Sequence, residues 1–173
     1  IRPTLQALNS PNMWIGDTGV TKHSTKHRQG GINARPSSSR IRGIYGQAIK
    51  PDSEVDLPGT YCNKDGDEQF AVKLRNVDVI PESHYNLISL TRLMEEGHTI
   101  KGSKKNGITA CKGNREIKFD IRIETPKGVL WCAYIKRYDP ENEVATEAND
   151  VISDNPPVRD EKEIKSVLKL NIK

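Results

Sequence analysis

The sequence predicts a mainly β fold, a small closed barrel with one short helix. Three observations carry this expectation. Apolar residues recur in short, often alternating runs, separated by Gly, Asn and Lys turns. A single segment repeats its apolar residues at spacings of three and four. The 173 residues, 34% of them hydrophobic, supply one core of roughly 100–150 residues with tails rather than two cores.

Residues 1–11 read as an N-terminal linker ending at Pro11. Asn12–Ile15 is an apolar strand that runs into Gly16-Asp17-Thr18-Gly19. Residues 22–40 are polar, with Gly30-Gly31 and Pro36-Ser37-Ser38-Ser39, and read as a long basic loop. Arg40–Ile49 sets apolar residues on both sides of Gly43-Ile44-Tyr45-Gly46, a hairpin pattern. Glu54–Tyr61 and Gln69–Val79 read as strands joined by the turn Asn63–Asp67, with Phe70, Val72, Leu74 and Val77 toward a core. Asn86–Glu96 carries Leu87, Ile88, Leu90, Leu93 and Met94 at helical spacing, and Gly97 stops it.

Four strands then follow, at Thr99-Ile100, Gly107–Cys111, Arg115–Thr125 and Val129–Ile135. In the third, Ile117, Phe119, Ile121 and Ile123 alternate with polar residues, which predicts one continuous strand. Residues 139–173 contain no Phe, Trp or Tyr and are rich in charge, a composition that does not offset the cost of ordering a chain. They read as a flexible acidic linker, disordered apart from a short helix signal at Ile164, Val167 and Leu168. The folded domain is therefore expected over residues 12–138.

Charge is unevenly placed. The chain holds 27 Lys and Arg against 23 Asp and Glu, a net of +4. Residues 1–50 hold eight basic residues and one acid, 8 − 1 = +7, and residues 139–173 hold five and nine, 5 − 9 = −4. The basic first third reads as a solvated loop or as an attractor of polyanions. Residues 22–42 lack any aromatic to stack on bases, which weighs against nucleic acid as a partner. No run approaches the ~18 apolar residues of a membrane span. Cys62, Cys111 and Cys132 are too few and odd for a disulfide framework and read as packing residues in a reducing compartment. His23 and His27 form a single pair with no Cys-x-x-Cys nearby, so neither a metal nor a cofactor is expected.

The chemistry concentrates at Trp14-Ile15-Gly16-Asp17-Thr18-Gly19-Val20. By itself Asp-Thr-Gly also describes a plain turn. A pair of carboxylates sharing one proton around a water can hydrolyse a peptide, because two such groups in contact cannot both ionise. One then acts as base and the other as acid. Asp17 would be the carboxylate, Thr18 a hydrogen-bonding support, and Gly19 the residue whose missing side chain lets two loops approach. The chain has one such loop, so this mechanism requires a second copy from a symmetric partner.

Four blocks in order resemble the aspartic protease region of copia-type retrotransposon polyproteins, relatives of the retroviral proteases. Trp14 to His23 is similar to the family's W-I-x-D-S/T-G-A-x-x-H, and Arg42-Gly43-Ile44-Tyr45-Gly46-Gln47-Ala48-Ile49 sits where retroviral proteases have a Gly-rich flap. Leu74-Arg75-Asn76-Val77-Asp78-Val79-Ile80-Pro81 is similar to L-x-x-V-x-x-x-P, and Asn86-Leu87-Ile88-Ser89-Leu90-Thr91-Arg92-Leu93 before Gly97 is similar to N-L-L/I-S-x-x-x-L. Two departures stand out: Val20 replaces a small residue, and Thr21-Lys22-His23 replaces acidic residues of the retroviral enzymes. His23 belongs to the family pattern and reads either as a positioning hydrogen bond or as a substrate contact.

The resemblance implies a retropepsin-like barrel acting as a homodimeric aspartic endopeptidase. It implies one Asp17 per subunit, Thr18 and Gly19 bracing the loops, and a flap of Gly43, Ile44, Tyr45 and Gly46 closing on extended segments of its own polyprotein. It implies no cofactor, no metal, no membrane, a cytoplasmic site within virus-like particles, and residues 139–173 leading toward integrase. The alternative is a catalytically silent dimerisation or peptide-binding module on the same fold.

Overall fold

The computed structural model of the chain describes residues 4–42 and 45–138. The expected acidic linker 139–173 with its helix signal, and the hairpin residues Gly43 and Ile44, lie outside the described residues. The rest is mainly β, as the short runs predict, with one short α-helix.

Eight strands form the main sheet. In spatial order they are β12 (Ile121–Thr125), β13 (Gly128–Arg137), β1 (Met13–Asp17), β8 (Asn86–Ser89), β2 (Ser24–Thr25), β7 (Glu68–Val79), β6 (Ser53–Cys62) and β3 (Ile32–Arg35). β13 pairs with β1 through Cys132–Tyr134 and with β6 through Tyr134–Arg137. The pairing order β13-β1-β8-β2-β7-β6 thus returns to β13. β4 (Ile41–Arg42) and β5 (Ala48–Ile49) form the expected hairpin as a separate ribbon. β9 (Thr99–Ser103), β10 (Gly107–Lys112) and β11 (Arg115–Phe119) make a third, antiparallel sheet.

β1 and β8 lie at the centre and run parallel. Successive side chains of a strand face opposite sides. Trp14 and Ile88 accordingly enter one apolar cluster, with Leu57, Leu74, Leu90 and Phe119. Met13, Ile15 and Leu87 enter the other, with Leu8, Val20, Ile121 and Cys132. Leu8 reaches that cluster from a 3-10 turn over Leu5–Asn9, inside the expected N-terminal linker.

Three expectations are corrected. The helix predicted over Asn86–Glu96 is strand β8 followed by α1 (Leu90–Glu95). β8 is buried on both faces, so its continuous apolar run imitates a helix face. The strand predicted over Arg115–Thr125 is two strands, β11 and β12, which break at Asp120 and join different sheets. The solvated basic loop 22–40 instead contains β2 and β3, with Lys22, His23, Ser24 and Thr25 buried.

On β7 the core-facing residues Val72, Leu74 and Val77 change parity. A bulge explains it. Asn76 has φ of 58°, and the β6–β7 register shifts between Val55↔Val77 and Leu57↔Leu74. The Asp56 carboxylate accepts the freed Asn76 N–H at 3.0 Å and holds the kink in place.

Arg137, 7% exposed, ties β13 to the segment before β1 and to the segment that follows β2. Its guanidinium donates to the carbonyls of Pro11, His27 and Gln29 and to Thr25 Oγ1, at 2.6–3.0 Å. It also lies 5.3 Å above the Trp14 ring. Burial pushes its pKa down to about 10.

Candidate active site

Asp17 ends β1 and stands level with Ser89, the last residue of β8. The residue is 7% exposed, and its Oδ1 accepts the Gly19 N–H at 2.6 Å. That bond curls the loop tightly around the acid, as expected of an Asp-x-Gly turn. Thr18 projects from the loop into solvent, and Gly19 is half-buried. Val20 is fully buried in the core, so its side chain adds no bulk to the exposed part of the loop.

The loop is locked from beneath by the start of α1. Ser89 Oγ accepts the Arg92 N–H at 3.0 Å as the helix N-cap. The same hydroxyl donates to the Val20 carbonyl at 2.7 Å, and Thr91 Oγ1 donates to that carbonyl at 2.9 Å. One serine therefore starts the helix and fixes the far end of the Asp17 loop.

His23 completes this lock. Its Nδ1 accepts the Ser89 N–H at 3.0 Å, and the ring is 1% exposed. Burial, then the charges of Arg92, His98 and Lys22, lower its pKa to about 3. The imidazole is neutral at ordinary pH and acts as a hydrogen-bond acceptor. The structure supports the positioning reading of His23, since a ring this deep does not reach a peptide in solvent.

Lys22 carries the second support. Its ammonium, 2% exposed, contacts Asp78 Oδ1 at 2.9 Å, Glu54 Oε1 at 2.5 Å and Ser39 Oγ at 3.1 Å. Ser37 Oγ donates to the same Asp78 oxygen at 2.7 Å, and the Ser39 N–H donates to Ser37 Oγ. Arg35 extends the network to Glu54, Asp56 and the Asn76 side chain. Ser37 and Ser39 immediately precede β4, so the network joins the segment after Asp17 to the foot of the hairpin. Buried charges need this density of partners. Two of the eight basic residues in positions 1–50 are thus compensated internally.

In the hairpin, Ile41 faces Ile49 and Arg42 faces Ala48. Tyr45 is 91% exposed, and Gly46 has φ of 84° with open space around it. The structure gathers Asp17, Thr18 and Gly19 in one loop and places Tyr45 and Gly46 at the tip of a separate ribbon. Lys22, Ser37, Ser39 and Ser89 are supporting residues that sequence reasoning missed. Ser89 alone had a local signal, a serine just before an apolar periodic run.

Among the described residues no cluster of three or more His, Cys, Asp or Glu side chains is placed to hold a metal. Among them, too, no helix is long and apolar enough to cross a membrane. Cys62 and Cys132 are buried, and burial raises both thiols above their usual range. No family model, curated protein or solved structure matches the chain.

Proposed function

We propose that the chain is the aspartic endopeptidase region of a copia-type retrotransposon polyprotein. It folds as a small closed, retropepsin-like barrel and acts as a homodimer with one Asp17 from each subunit. The observation that carries the reading is the placement of Asp17. It ends a central strand, in a loop closed by Gly19 and buttressed by His23 and Ser89. A carboxylate held this way is pre-oriented, which is what proton transfer to and from a bound water requires.

Two such carboxylates across a twofold axis share one proton. The ionised one takes a proton from water as that water attacks the peptide carbonyl, and the protonated one hydrogen-bonds the carbonyl oxygen. Thr18, exposed on the loop, faces outward, as a brace between two subunits must. The hairpin of Gly43, Ile44, Tyr45 and Gly46 covers an extended peptide of the polyprotein, which pairs by main-chain hydrogen bonds. The returning strand order β13-β1-β8-β2-β7-β6 supports the barrel.

The test is cleavage of a precursor extended at both ends, across acid to neutral pH, by wild type and Asp17→Asn. The reading expects cleavage by wild type and none by Asp17→Asn, with both chains dimeric in sedimentation. A folded, dimeric wild type that leaves every precursor intact returns the chain to the silent module.

A further inference from the structure

One cluster of exposed positive charge lies on the sheet β9-β10-β11. Residues 98–119 hold six Lys and Arg and one acid, 6 − 1 = +5, against +4 for the whole chain. The fold uses two of the six. Lys112 Nζ donates to the Glu96 carbonyl at the end of α1, at 2.7 Å. The Arg115 guanidinium lies 5.3 Å above the Phe70 ring. Lys101, Lys104, Lys105 and Lys118 are exposed and form no ion pair among the described residues.

Register places these lysines on one face. Thr109 on β10 stands opposite Lys101 on β9 and Lys118 on β11. The neighbouring rows, with Ile100, Ala110, Ile117, Ile108 and Phe119, turn into the core. Lys101, Thr109 and Lys118 therefore form an outward row, its ends two interstrand spacings or about 10 Å apart. Lys104 and Lys105 sit in the turn at one end of β9. That turn closes at Gly107, where an added Cβ would stand 2.8 Å from the half-buried Trp131 ring.

We propose that the outer face of β9-β10-β11, with its Lys104-Lys105 turn, binds the phosphate backbone of nucleic acid by charge alone, without reading its sequence and with no aromatic on the face to stack a base. Charge selects this partner. Four ammoniums without a salt bridge, with the Thr99 and Thr109 hydroxyls as donors, meet two carboxylates, Glu116 and, beside Lys118, Asp120. No large exposed hydrophobic residue lies on these strands to dock a folded protein. The inference is independent of the peptidase reading.

The test is fluorescence anisotropy of a labelled oligothymidylate titrated with the full chain between about 25 and 200 mM salt. Four phosphate contacts predict a slope of log K on log salt of about −0.7 × 4, or roughly −3. Lys101→Gln/Lys105→Gln/Lys118→Gln should bring the slope to about −1 and weaken binding at least about tenfold at low salt. Lys26→Gln/Arg28→Gln/Arg40→Gln should change neither by more than about twofold, while tryptophan emission, from buried Trp14 and half-buried Trp131, confirms both folds. The proposal is overturned if the wild type fails to bind at the lowest salt. It is equally overturned if the first triple variant binds like wild type. Cross-linking of residues 139–173 to Lys101 or Lys118, with no oligonucleotide bound, would assign the face to the chain's own acidic segment and also overturn it.

Discussion

Replacing Lys22 with Met removes the cation from a site where two carboxylates converge. Asp78 is fully buried, and its Oδ2 has no hydrogen-bond partner among the described residues. At an effective dielectric of about 20, unit charges 2.9 Å apart interact by roughly 332/(20 × 2.9), or about 6 kcal/mol. Part is recovered, since Asp78 keeps the Ser37 hydroxyl and Glu54 keeps Arg35. The methionine also restores apolar contact. A net loss of about 3 kcal/mol is expected, the low end for breaking a buried pair. For a domain of this size that lowers Tm by roughly 10 °C. Urea unfolding followed by circular dichroism measures it. Lys22→Met/Asp78→Asn should recover about 2 kcal/mol relative to the sum of the single changes. A single-variant loss below about 1 kcal/mol, with additive effects in the double variant, would refute the account of a tightly coupled buried pair.

Three further outcomes are expected. His23, with its pKa near 3 when folded and 6.5 when free, binds its proton more readily in the unfolded chain, so stability falls as pH drops below 6.5. The loss reaches about 1.4 kcal/mol per unit, roughly 3 kcal/mol by pH 4, with His98 adding in the same direction; His23→Gln should flatten urea-unfolding stability between pH 6.5 and 4. Gly59→Ala puts a Cβ 2.6 Å from the Lys136 carbonyl in the β6–β13 pair, and should cost about 2–3 kcal/mol and weaken amide protection along both strands. Of the three free cysteines only Cys111 is half-exposed, so a thiol reagent should label one site quickly in the native chain and three in urea, as counted by mass spectrometry.

Much of the strand plan was legible because alternation of apolar and polar residues is a local signal. The Asp17 loop was legible for the same reason: the acid, its Thr and its Gly are adjacent, and the turn closes within three residues. The failures have a shared physical cause. Leu87 and Ile88 face opposite apolar clusters, so β8 lost the period-two pattern that identifies a strand. Arg115–Thr125 kept a perfect alternation while its halves entered different sheets, since alternation does not report which sheet a residue faces. Lys22 read as solvated because its partners Glu54 and Asp78 lie 32 and 56 residues away. Arg137 likewise reaches back to Pro11 and Thr25 across more than a hundred positions. Long-range charge pairing decides the burial of such residues, and no window of sequence contains it.

The central claim is that two Asp17 carboxylates from different chains make one site. Mixing wild type with Asp17→Asn at fixed total protein, after exchange of subunits, tests it directly. Random pairing in an equal mixture leaves about one dimer in four with both acids, so initial cleavage of an extended precursor should fall to about a quarter of the pure wild-type rate. Retention of about half the rate, the value for subunits that act singly, would contradict the account.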